Sequence, residues 1–170
     1  MQFRKFGKLD WNASVLGFGC MRLPTVDGKP HGGNVKEAEA VEMIHFALDQ
    51  GINYFDTAYV YHEGNSELVL GKALRGRRDQ VKLATKCPVW AIQQESDFDR
   101  LLNEQLKRLQ TDHIDFYLLH ALNKKRWSEV VPKFKLLEKA EAAIRDGRIR
   151  HLGFSFHDDY DTFATIVNGY

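Results

Sequence analysis

The stretch "GINYFDTAYVYHEGNSE", residues 51–67, sets the reading of the whole chain. The apolar, strand-like run "INYFD" follows Gly51, a residue suited to ending a helix, and a new helix begins from Asn65 or Ser66. Between them lies a loop holding Tyr59, Tyr61, His62 and Glu63, with Asp56 at the carboxyl end of the strand. A strand that ends in acid, phenol and imidazole has more to do than pack.

The same unit recurs in both directions. A first strand is expected near Val15 to Phe18, stopped by Gly19 and Pro24. Asn34 and Glu37 then have the spacing of a capping-box variant, opening a helix with Ala38, Val41, Ile44 and Leu48 on one face. Beyond the quoted stretch, "QVKLATK", "HIDFYLLH" and "IRHLGFSFH" read as strands three, four and five. Ser96 and Asp99 open the third helix, whose face carries Phe98, Leu101, Leu102, Leu106 and Leu109. Pro132 suits the first turn of the fourth, and "DDYDTFATIVNGY" starts a fifth. Strand and helix alternating about every 30 to 36 residues is the βαβ rhythm.

Two architectures share that rhythm, an open doubly wound sheet and a (β/α)8 barrel. Closing a barrel takes about 250 residues, and the chain has 170. Rhythm and length leave both architectures open at this point.

Composition narrows the function. A formal net charge of +1, with 28% charged residues, gives no reason to invoke nucleic acid or a membrane surface. The clusters Lys72 to Arg78 and Lys124 to Arg126 read as solvated faces and loops. Two cysteines, Cys20 and Cys87, with no C-x-x-C, argue against a disulfide framework and a zinc ribbon. The histidines show no metal-ligand spacing, so no metal is expected. With no apolar leader or membrane-length stretch, a cytoplasmic protein is expected.

The polar strand ends carry the chemistry. Strand two ends in Asp56, strand three in Lys86, strand four in His120 and strand five in Ser155. In both architectures ligands bind at that edge. Taken singly, Asp56 reads equally as a loop cap, Lys86 as half of a structural salt bridge to it, and His120 as a core histidine. Tyr59 competes with Tyr61 as the functional phenol.

In "GFGCMRL", "INYFDTAYVYHEGNSE", "KLATK", "DFYLLH" and "IRHLGFS" the sequence resembles the aldo-keto reductase family, from about residue 1 to residue 157. The resemblance implies a (β/α)8 barrel that reduces aldehydes and ketones with NADPH, with NAD as the other nicotinamide option. It places a catalytic tetrad on Asp56, Tyr61, Lys86 and His120, and the nicotinamide near Gly19, Met21, Asp56 and Ser155. Trp90, just beyond Lys86, reads either as a wall of the substrate pocket or as a half-buried loop tryptophan. Chemistry agrees: a phenol is a weak acid at neutral pH, and an adjacent ammonium stabilises the phenolate. Tyr61 would be the proton donor, Lys86 its tuner, Asp56 the group holding Lys86, and His120 the group placing the carbonyl.

Three features depart from the family pattern. Ser155 is followed by Phe156 where asparagine is usual, leaving His157 as a substitute contact. His62 stands where glycine is common, which would reshape the pocket rim. "GFSFH" is similar to a subgroup carrying an iron-sulfur module, but the chain has no cysteine cluster to hold one. The family's phosphate site and substrate loops come from later strands. The resemblance therefore implies one domain, residues 1–170, forming the N-terminal part of a (β/α)8 barrel, an incomplete barrel of about five βα units, expected to need the rest of the barrel or to self-associate. The competing functional readings are a non-catalytic, nicotinamide-binding or regulatory reductase-like subunit, and an inactive truncated fragment.

Overall fold

A computed structural model describes residues 1–170. Five strands form one parallel sheet: β3 (Phe18–Gly19), β4 (Tyr54–Asp56), β5 (Lys82–Cys87), β6 (Ile114–Leu122) and β7 (Ile149–Phe156). They lie side by side in chain order, β3-β4-β5-β6-β7. An open doubly wound sheet reverses its order at a switch point, whereas a barrel winds consecutively. The order therefore selects an incomplete (β/α)8 barrel. Helices α1 (Glu37–Asp49), α2 (Asn65–Ala73), α3 (Ser96–Leu109), α4 (Val131–Lys133), α5 (Leu136–Arg145) and α6 (Tyr160–Asn168) cross between the strands or follow the last.

The two-residue period of the strands divides the work. Phe55, Leu83, Cys87, Tyr117 and Leu119 join the helices in the buried core. Their alternates, Tyr54, Asp56, Lys86, Phe116, Leu118 and His120, turn to the inner face. Register sets the polar ends level: Gly19 pairs with Asp56, Asp56 with Ala84, Lys86 with Leu118, and Leu118 with Gly153.

The inner face has a floor that the sequence reading did not include. An antiparallel hairpin, β1 (Phe3–Lys5) and β2 (Asn12–Ser14), precedes the sheet. From its loop Phe6 and Trp11 pack on Phe116, with ring centroids 5.3 and 6.2 Å away, and both also reach Tyr54. His151 stacks on Phe116 from the next strand, at 5.3 Å. The aromatic cluster closes the amino ends of the strands, so the carboxyl ends are the open mouth.

Three expected elements shift. The first strand covers Phe18–Gly19 rather than starting at Val15, and Val15 and Leu16 are exposed. Just before it, Ser14 and Asn53 exchange main-chain-to-side-chain bonds of 2.8 and 3.1 Å, which take the place of ladder pairing. Asn34 does not cap α1: its carbonyl accepts from the Val26 amide, and Val35 bridges to Thr25, so the chain is still extended there. The expected fourth helix is split. Helical turns already run over Arg126–Val130 and pass directly into α4, so Pro132 lies near their end instead of in a first turn, and Lys135 at φ 51 breaks the helix before α5 begins.

Helices α2 and α3 meet at Gly71. A Cβ there would stand 2.6 Å from the Arg108 carbonyl oxygen and 2.7 Å from the Leu109 carbonyl carbon, both backbone atoms that cannot swing away. Gly71→Ala gains about 1 kcal/mol of helix propensity and loses more by forcing the helices apart, a strain of about 1–3 kcal/mol. The expected outcome is net destabilisation in urea unfolding; a variant as stable as the parent or more so would show that the helices separate freely.

Candidate active site

Lys86 ends the inner face of β5 with its side chain 6% exposed. Burying an ammonium is costly unless its donors are used. All three are used here: Nζ donates to Asp56 Oδ1 at 2.6 Å, to the Thr57 carbonyl at 2.7 Å and to Tyr61 Oη at 3.0 Å. Nζ also lies 4.5 Å from the centre of the Tyr61 ring. Asp56 and Tyr61, five residues apart in sequence, thus converge on one cation. Burial pushes the Asp56 carboxyl up, while the Lys86 charge and hydrogen bond pull against it. Tyr59, the rival phenol, instead bonds Glu104 at 3.2 Å and lies under the Arg108 guanidinium, away from Lys86.

Tyr61 is held by the turn behind it. His62, Glu63 and Gly64 follow with φ of 51°, 56° and 92°, three successive left-handed residues that swing the chain into α2. His62, expected at a pocket rim, is fully buried and works as a clamp. Its Nδ1–H donates to the Gly32 carbonyl at 2.8 Å and its Nε2 accepts from the Leu23 amide at 2.9 Å, an arrangement only the neutral ring can make. Asn65 adds a bond to the Gly33 carbonyl and Ser66 one to the Cys20 carbonyl, both 2.9 Å. The loop after β3, which carries Met21, is thereby pinned to the Tyr61 turn.

Lys86 is also braced from the helix side by a buried network absent from the sequence reading. Gln105 Nε2 donates to the Lys86 carbonyl at 3.2 Å, to Thr85 Oγ1 at 3.1 Å and to Glu67 Oε1 at 2.6 Å. Tyr117 Oη donates to Gln105 Oε1 at 2.7 Å, and Arg108 reaches the second Glu67 oxygen at 3.3 Å. Burial raises the Glu67 carboxyl, opposed by the bonds from Thr85, Gln105 and Arg108. One signal was legible: Gln105 is a polar residue on the apolar stripe of α3, where only a satisfied amide belongs.

His120 stands beside Tyr61, ring centroids 6.0 Å apart and edge to face. It precedes a bulge, where pairing shifts between Leu119 and Leu122 and Ala121 adopts φ 52°. The Ala121 amide donates to Ser155 Oγ at 2.7 Å, so Ser155 secures the bulge with its oxygen and keeps its own proton to give. Trp90, half-exposed in the loop after β5, packs its ring 4.9 Å from the imidazole. Gly19 lies next to Asp56 with open space where a Cβ would be, and Met21 is exposed. His157 is exposed, its amide donating to the Leu122 carbonyl. An apolar pocket lies elsewhere, in the seam between β6, β7 and α6. Cys20 and Cys87 are buried thiols pushed upward by burial, Cys87 to about 12.

Comparison with known proteins follows the same lines. The Aldo/keto reductase family matches residues 15–166. Aldo-keto reductase YhdN of Bacillus subtilis is 35% identical, over 98% of this chain and 51% of its own length. A probable aldo-keto reductase of Glycine max is 31% identical, over 89% of this chain and 44% of its own. Among solved structures, the holo form of an aldo-keto reductase from Bacillus halodurans superposes with a TM-score of 0.75 at 33% identity, covering 92% of this chain and 50% of that one. An aldo-keto reductase from Klebsiella pneumoniae in complex with NADPH gives 0.74 at 28%, with the same coverage. The chain belongs to the aldo/keto reductase family. It spans about half the length of the curated relatives it matches.

Burial lowers the His120 pKa to about 4, helped by the charges of Lys86, His157 and Arg126. Its Nδ1 is buried without a protein partner. The ring is therefore neutral at pH 7. Between pH 6.5 and about 4 the unfolded chain binds a proton that the folded one refuses, so stability falls as pH falls through that window. NMR titration of the His120 ring carbons should show no protonation above about pH 5; a midpoint near the ordinary histidine value of about 6.5 would contradict the geometry.

Proposed function

We propose that residues 1–170 are one domain, the N-terminal part of a (β/α)8 barrel, and contribute the proton-transfer site of an NADP-dependent carbonyl reductase acting in the cytoplasm. The observation that carries the reading is the Lys86 ammonium, bonded at once to Asp56 Oδ1 at 2.6 Å and Tyr61 Oη at 3.0 Å. Similarity to an aldo-keto reductase solved with NADPH supports the cofactor, with NADH the other candidate.

The residues at the mouth fit a nicotinamide. Open space over Gly19, exposed Met21 and the spare Ser155 hydroxyl proton leave room and a polar atom for it there. The bound cofactor supplies hydride to the carbonyl carbon of an aldehyde or ketone. The protein's own residues handle the oxygen. His120, neutral and beside both Tyr61 and Trp90, is the group that holds the carbonyl, and Trp90 walls the pocket. Tyr61 gives its phenolic proton to the developing alkoxide. Lys86 stabilises the phenolate left behind, through the charge-assisted bond already in place. Asp56 and the Thr57 carbonyl keep that ammonium from turning away. Solvent at the mouth then returns the proton to Tyr61.

The partner expectation has a physical basis as well. Strand β7 is an unpaired edge, and Phe163 and Val167 of α6 beside it are partly exposed. Further barrel strands are the proposed neighbours there, with self-association the alternative.

In the full-length protein, Tyr61→Phe should lower kcat for reduction of a simple aldehyde by about 10²–10⁴-fold, the usual worth of a placed acid. Nicotinamide binding should persist, as tracked by quenching of protein fluorescence. Turnover unchanged in that variant would favour the non-catalytic, nicotinamide-sensing reading instead. Lys86→Met should cost kcat comparably, because an uncompensated phenolate and a partly buried, unpaired Asp56 remain; its circular dichroism would separate a folded, slow enzyme from a collapsed site.

A further inference from the structure

The chain holds five partly buried arginines, 77, 78, 108, 126 and 148. Four are paired with carboxylates: Arg77 with Asp49, Arg78 with Asp115, Arg108 with Glu67 and Glu104, and Arg148 with Asp99 and Asp146. Arg126 has none. Its Nη1 donates to the Ala121 carbonyl, and its guanidinium lies 5.1 Å from the centre of the Trp90 ring. A guanidinium has five N–H donors in a planar fork, so most of this one is uncommitted. Its partly buried position makes that costly, and the other four arginines show how this fold otherwise meets the cost.

Its location is specific. Trp90 packs on His120 at 4.9 Å and His120 faces Tyr61, so the free fork stands one indole ring away from the proposed carbonyl site. Lys124 and Lys125 precede it, exposed and also without ion pairs, and extend the positive field. The nearby Asp158 carboxylate accepts from the Lys124 amide at 2.9 Å and is not bonded to Arg126. A segment read from sequence as a solvated charge cluster is helical and places the Arg126 guanidinium beside the mouth of the site.

We propose that Arg126 is a specificity-determining residue, which binds a carboxylate carried by the carbonyl substrate, so that the preferred substrates are oxo acids with the acid group set beyond a short or aromatic spacer. The proposal rests on the reductase reading above. Arginine is the side chain whose fork matches a carboxylate, and stacking on Trp90 fixes the fork's plane before the ligand arrives. Bond making and breaking at the carbonyl are unchanged; only the far end of the substrate is recognised.

The test uses full-length protein with NADPH and two aldehydes, para-formylbenzoate and its methyl ester. They share the reacting group and differ in the charge. Two readouts run in parallel, binding of each compound by calorimetry and NADPH oxidation. The parent protein should prefer the acid over the ester by at least about tenfold in both affinity and kcat/KM, the effect lying in KM. In Arg126→Gln that acid-to-ester ratio should fall to near unity, and in Arg126→Lys, which keeps the charge without the fork, to an intermediate value. Taking the ratio within each variant removes any general damage done through the Ala121 bond. Equal treatment of acid and ester by the parent overturns the proposal, as does a preference that survives in Arg126→Gln. An Arg126-dependent binding preference without any NADPH oxidation upholds the anion subsite and sinks the reductase reading, so the two failures are distinct.

Discussion

A buried ammonium with three donors and three acceptors organises this site. Lys86 sits at the end of a parallel strand where water is scarce, and every N–H must find an oxygen. The oxygens come from one neighbouring segment: the Asp56 carboxylate, the Thr57 carbonyl and the Tyr61 hydroxyl. The need to satisfy that charge is what draws a phenol from a loop onto a strand end. Were Lys86 apolar, the Tyr61 hydroxyl would lose the partner that draws it there, while the turn through His62, Glu63 and Gly64 would still pin the loop after β3.

The fold supplies the rest of the constraint. Consecutive winding brings the carboxyl ends of β3 to β7 into one arc, and the hairpin's Phe6 and Trp11 close the opposite end. Asp56, Lys86 and His120 thereby share a single mouth. Behind it, Glu67, Thr85, Gln105 and Tyr117 fix the main chain of β5 from the helix layer. At its side the Ala121 bulge, held by Ser155, turns His120 toward Tyr61. A rigid shell of this kind is what keeps donors within the short distances that proton transfer needs.

Much of this was legible in the sequence, for identifiable reasons. Asp56, Lys86 and His120 stand out because charge at the end of an apolar strand is expensive, and three in succession imply a shared purpose. The βαβ class was legible because strand and helix periods alternate; the family resemblance implied the barrel, and the strand order bears it out. What escaped detection depends on contacts distant in sequence. The hairpin is short and exposed, with no apolar alternation to betray it. His62 looked like a rim residue because nothing local indicates that Leu23 and Gly32 would come to meet its ring. The split of the fourth helix at Lys135 has no glycine to announce it. Arg126 was masked by two neighbouring lysines, and its stacking on Trp90 joins loops from different strands.

The central arrangement joins three atoms, Lys86 Nζ, Tyr61 Oη and Asp56 Oδ1. A crystal structure of the full-length protein, resolved well enough to place side-chain nitrogens, measures it directly. The expected result is Lys86 Nζ within hydrogen-bonding reach of both Tyr61 Oη and Asp56 Oδ1, near 3.0 and 2.6 Å. A Lys86 side chain turned to solvent, or paired with Asp56 while Tyr61 packs elsewhere, would contradict it.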